Sequence, residues 1–140
     1  MARQTSSNQT IFATGSCYGS LLLLLALATP GAANQPHIVD VDVNCDPQRR
    51  CTFQVSVQHH DQGWDHYANR WEILGPDDAI IAVRTLHHPH DHEQPFTRSL
   101  RDVDIPQPLT SVRLRAHDSV HGYGPVSNAV LLFPDSTDTD

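Results

Sequence analysis

The chain has 140 residues, a formal net charge of −7, ten histidines and no lysine. That length suits one domain, and the acidic balance forgoes the phosphate attraction behind nucleic-acid binding, so DNA and RNA are excluded as expected partners. Ten prolines and seven glycines at short intervals favour many short strands over long helices.

Residues 1–33 read as a cleavable signal peptide. Arg3 is the only side-chain cation of a polar opening segment, Leu21 to Leu27 form an almost pure leucine run, and Gly31, Ala32 and Ala33 supply the small residues that precede a cleavage site. The apolar run falls short of the about 20 residues that cross a bilayer. The mature chain is therefore expected to keep no stable membrane anchor and to be periplasmic or secreted. Cys17 leaves with the leader, and nothing upstream of it resembles an apolar lipobox. Cys45 and Cys51 remain, and an even pair in an exported domain reads as a disulfide, here pinning the turn between two adjacent strands.

Period-two alternation predicts seven strands in residues 34–133. They run from His37 to Val43, Cys51 to Gln58, His66 to Leu74, Ala79 to Leu86, Phe96 to Ile105, Thr110 to Asp118 and Val126 to Phe133. In the first, Val39, Val41 and Val43 share a face. Phe53, Val55 and Val57 make the apolar face of the second. In the third, Tyr67, Asn69, Trp71 and Ile73 lie opposite His66, Ala68, Arg70 and Glu72. In the sixth, Val112, Leu114 and Ala116 point inward and Arg113, Arg115 and His117 outward. Trp71 is expected in the core; Trp64, after Gly63, is expected in a loop. Gly75-Pro76-Asp77-Asp78 and Pro106-Gln107-Pro108 are turn-like. Residues 134–140 read as a disordered acidic tail.

Seven short strands in about 100 residues point to an all-β, antiparallel, immunoglobulin-like sandwich. Val112-Arg113-Leu114-Arg115-Ala116, a Gly-rich loop and Pro125-Val126-Ser127-Asn128-Ala129-Val130 resemble the last hairpin of fibronectin type III domains. That resemblance implies a fold and leaves function open.

In such a sandwich, connections alternate between two ends. His59, His60 and His66 fall in or beside the second-to-third connection, and His87, His88, His90 and His92 in the fourth-to-fifth. His117 and His121 flank or occupy the sixth-to-seventh, and His37 begins the first strand. All share one end; the opposite connections have none. Imidazoles converging from distant sequence, with carboxylates alongside, suit a transition metal. Strand parity places His66 and His117 on the outward faces of neighbouring strands. Proline stiffens His88-Pro89-His90, and His121 precedes the flexible Gly122-Tyr123-Gly124. The expected metal ligands are therefore His66, His88, His90, His117 and His121, with His87, Glu93 and Asp118 as additional candidates. His59, His60 and His92 read as exposed loop residues.

Trp64-Asp65-His66-Tyr67-Ala68, His88-Pro89-His90 and His117-Asp118-Ser119-Val120-His121-Gly122 look like stretches of a group of small, uncharacterised, His-rich bacterial exported proteins. The resemblance implies export and brings no activity.

The expected function is an exported binder of zinc or copper. With the initiator as its sole methionine, the chain lacks the soft ligands of a Cu⁺ carrier, and calcium prefers an oxygen cage. One alternative is a module whose loops recognise an exported protein or a glycan, with histidines conferring pH response. Another is a metalloenzyme, which needs about three protein ligands, an open position and a base such as Glu93. No catalytic residues are expected, since no motif names a reaction.

Overall fold

The computed structural model describes residues 34–134; the leader and the tail beyond Pro134 lie outside the described residues. Two antiparallel sheets pack face to face. One has the order β1 (His37–Cys45), β2 (Arg50–Gln58), β5 (Phe96–Asp104). The other has the order β4 (Ile80–Thr85), β3 (Ala68–Leu74), β6 (Ser111–Asp118), β7 (Gly122–Tyr123), with β8 (Val130–Leu131) also on β6. The fold is an all-β sandwich, as the alternation predicts; a three-residue 3-10 turn, Pro76–Asp78, occupies the expected turn between β3 and β4.

The core forms where the two inner faces meet. Phe53, Val55 and Val57 of β2 and Phe96 of β5 face Trp71 and Ile73 of β3 and Val112, Leu114 and Ala116 of β6; all are buried. Each inward residue follows the last by two, which puts the side chains of a strand alternately on core and solvent faces. The expected disulfide joins Cys45 and Cys51, which are register partners at the β1–β2 turn.

Three local departures from regular alternation matter. In β1 the register shifts between Ile38 and Asp40, so Ile38, Val41 and Val43 pack against the core while Val39 is exposed. A bulge of this kind inserts one unpaired residue and reverses the sidedness beyond it. In β3 a second shift falls between Ala68 and Arg70 against β6. Ala68 is consequently buried rather than outward, and the residues before it follow its sidedness.

The third departure concerns the last predicted strand. Instead of one run from Val126 to Phe133, the chain pairs with β6 at two places, through β7 and β8. Residues 124–129 run alongside β6 on isolated bonds, Gly124 N–H to Ala116 O and Ser127 N–H to Leu114 O. Pro125 has no N–H to offer a ladder. Gly124 is required by space: a Cβ there would lie 1.8 Å from the Pro36 carbonyl oxygen. This close approach seats the segment before β1 beside β7, where Gln35 Nε2 also donates to Tyr123 O.

Candidate metal centre

The site is built where the inward parity of β2 and β6 runs past the apolar core. Two residues after Val57 comes His59, and two residues after Ala116 comes Asp118; both side chains are fully buried. The β3 bulge delivers the third group. Because Ala68 faces inward, so does His66 two residues before it, and it is also buried. Donor atoms of His59, His66 and Asp118 all lie within 4.8 Å of one another.

His59 Nε2 is 3.4 Å from Asp118 Oδ2, and His66 Nε2 is 3.4 Å from Asp118 Oδ1. His121 closes the outer side: its Nδ1 is 3.1 Å from His66 Nε2 and 3.4 Å from Asp118 Oδ2. It arrives there because Asp118 Oδ1 accepts the backbone N–H groups of Val120 and His121, tightening the turn, and because Gly122 takes a positive φ of 82°. His121 is the exposed member of the group.

The electrostatics leave Asp118 anionic. Burial by itself would raise the Asp118 carboxyl. The backbone N–H groups of His121 and Val120 and the His66 ring outweigh it and hold Asp118 below the ordinary aspartate range. Yet Asp118 Oδ2 is buried with no hydrogen-bond partner among the described residues. His59 is under a related constraint. Its Nδ1 lies 2.5 Å from Asp61 Oδ1, while its Nε2 faces the Asn34 carbonyl at 3.1 Å as well as Asp118 Oδ2. A neutral imidazole carries one N–H and cannot donate to acceptors on both edges. Were the proton kept on the Nδ1 edge toward Asp61, the Nε2 edge would offer its lone pair to a metal.

Asp61 supports this arrangement from behind. Burial pushes its carboxyl up; bonds from the His59 ring and from the His90 and Ala68 backbone N–H groups reverse that and keep it ionised. Those bonds, at 2.5, 2.7 and 2.9 Å, tie the β2–β3 connection to the β4–β5 connection and to the start of β3.

The expected ligands thus divide. His66, His121 and Asp118 come together; His88, His90, His117, His87 and Glu93 do not join them. His117 is on the outer face of β6, with its Nδ1 2.7 Å from Asn69 Oδ1 and its ring edge-on to Tyr123. Burial and the nearby Arg70 guanidinium lower its proton affinity. The expectation that His66 and His117 share a face is overturned by the extra residue in β3. His90 is buried, stacked on Phe96 at 3.9 Å between ring centroids, while His87 and His88 are exposed. Glu93 is exposed and paired with Arg98. His60 and His92 are exposed, as expected.

His59 corrects the sequence reading: it is 2% exposed rather than a solvated loop residue. The signal was present, since His59 continues the inward series Phe53, Val55, Val57. Only the end of the apolar pattern made it look like a loop.

Over 90 residues, 64% of its length, the chain is 36% identical to a protein of Halomicrobium mukohataei that bears the name "Putative lipoprotein". The chain spans 44% of that relative, less than half of its length. No family model and no solved structure matches the chain. Among the described residues no helix is long and apolar enough to cross a membrane.

Proposed function

We propose that this is an exported protein that holds a divalent transition metal, zinc in the first place and Cu²⁺ in the second, through His59 Nε2, His66 Nε2, His121 Nδ1 and the Asp118 carboxylate. The observation that carries the proposal is the buried, unpartnered Asp118 Oδ2 facing imidazole nitrogens at 3.4 Å. Donors bound tetrahedrally at zinc's usual distances sit about 3.3 Å apart. The His66–His121 separation of 3.1 Å and the 3.4 Å from each ring to one or other Asp118 oxygen approach those edges, within a three-residue group whose donors spread to 4.8 Å.

His59, His66 and Asp118 form the mutually close set, and with His121 taken as the fourth ligand from its exposed edge, three imidazoles and a carboxylate would fill a four-coordinate shell. That supports holding a metal over catalysing a reaction, because a catalytic zinc keeps an open position. Export is supported by the disulfide and by the lipoprotein name of the relative. Periplasmic or secreted placement belongs to the same proposal.

Calorimetric titration of the metal-stripped protein with Zn²⁺ and Cu²⁺ tests it. The expected Kd lies below about 1 μM, or roughly −8 kcal/mol. H59A, H66A and D118N should each weaken binding at least about a hundredfold, while H88A and H117A should leave it unchanged. A wild-type Kd above about 10 μM, or affinity indifferent to His59 and His66, would sink the proposal.

Trp64 favours a second reading. It is 67% exposed and edge-on to Tyr67 beside the same loops, an anchor suited to recognition of a protein or glycan. Quenching or a spectral shift of its fluorescence by an exported partner or an oligosaccharide is the corresponding test.

A further inference from the structure

A second cluster of histidines occupies a separate cleft with the opposite electrostatic character. Arg84, Thr85, Leu86, His87, His88, His90 and Arg98 line a cavity of about 190 Å³ between the ends of β4 and β5 and their connection. Arg84 reaches across to β5, donating Nε to Ser99 O and Nη1 to Thr85 O. It forms no ion pair with a carboxylate among the described residues, although the chain is strongly acidic. Arg98 projects from β5 and gives Nη1 and Nη2 to Glu93, keeping its Nε uncommitted among the described residues.

His90 forms an inner wall. Both of its ring nitrogens are buried without a hydrogen-bond partner among the described residues, and its ring lies against Phe96 on one side and 4.6 Å from His88 on the other. Burial first, then the positive fields of Arg98 and His88, lower its proton affinity. Among the described residues, the nearest carboxylate oxygen, Asp61 Oδ2, is 3.9 Å from His90 Nδ1, beyond hydrogen-bond reach, so the polar edge of the ring has no hydrogen-bond partner there beside two guanidiniums. Two guanidiniums would repel a dication, whereas guanidinium N–H groups match the geometry of an oxyanion.

We propose that the Arg84–Arg98–His90 cleft binds a phosphate- or sulfate-sized oxyanion. The anion takes free guanidinium N–H groups of both arginines and one nitrogen of His90, with His87 and His88 at the rim. Glu93 is the internal competitor for Arg98. The cleft is separate from the His59–His66–Asp118–His121 group and meets it at Asp61, which accepts the His90 backbone N–H and has Oδ2 3.9 Å from the His90 ring.

The test is titration of the purified protein with inorganic phosphate, sulfate and a small phosphate monoester, followed by calorimetry and by the ring-nitrogen resonances of His88 and His90. Saturable binding is expected, with perturbation of the His90 ring. R84Q, R98Q and H90F, the last keeping the stack on Phe96, should each weaken it about tenfold or more. E93Q should tighten it, an effect that simple loss of folding would not produce. Preference between phosphate and its monoester distinguishes a free anion from an esterified one. H121A should leave the binding unchanged, so failure of the metal centre and failure of this cleft are separately visible. Absence of saturation below about 10 mM, indifference to both R84Q and E93Q, or Zn²⁺ rather than oxyanions perturbing His88 and His90 would overturn it.

Discussion

Glu72 lies on the outer side of β3 yet is nearly inaccessible, because Arg70, Arg115 and Tyr123 close over its carboxylate. Burial raises this carboxyl, and the bonds from Tyr123, Arg115 and Arg70 more than compensate, leaving it below the ordinary glutamate range. A depressed folded value means that the stabilisation is fully present above the unfolded glutamate value, about 4.3, and is lost as the pH falls through the folded one. E72Q should therefore cost about 2–3 kcal/mol near pH 7, the scale of a charged hydrogen bond. The gap to wild type should narrow below about pH 4 in thermal melts; a gap constant with pH would refute the assignment. At this scale the sequence was an uneven guide. Alternation marked Glu72 as outward, but its burial depends on Tyr123, 51 residues away, bending over it.

The connections between strands owe their shape to single carboxylates. Asp61 bonds the His59 ring and the N–H groups of Ala68 and His90, so one residue joins two loops and a strand end. D61A would strand two buried backbone donors, and each such group costs about 1–3 kcal/mol. The expected outcome is a loss of about 2–5 kcal/mol in denaturant unfolding together with metal affinity weakened about 10- to 100-fold. Weakened affinity with unchanged stability would remove Asp61 from its bracing role. Strands β2 and β6 were legible almost to the residue, since Phe53, Val55 and Val57 in one and Val112, Leu114 and Ala116 in the other mark the inward face. The bulges in β1 and β3 were not, because an inserted residue leaves the composition of a strand unchanged and alters only which side each residue faces. That one hidden residue in β3 decided whether His66 stood beside His117 or beside Asp118.

For the whole molecule, a metal binding the folded but not the unfolded chain adds stability by mass action. Zn²⁺ at about a hundred times its Kd should add about 2.7 kcal/mol and raise Tm by roughly 10 to 20 °C for a domain of this size. The shift should vanish in H59A, and its persistence there would place the metal elsewhere. Alternation by itself determined the inward faces of the core strands, the cysteine pair determined the pinned β1–β2 turn, and the order of the connections determined which histidines share an end, because spacing and turn order are properties of neighbouring residues. Which histidines meet was decided only in three dimensions. The β3 bulge, the inward continuation of β2 and β6 past the apolar core, and the anchoring of the β6–β7 turn by Asp118 separate a carboxylate-centred cluster from an arginine-lined cleft. Those outcomes depend on register and on contacts between residues far apart in the chain, which no local pattern records.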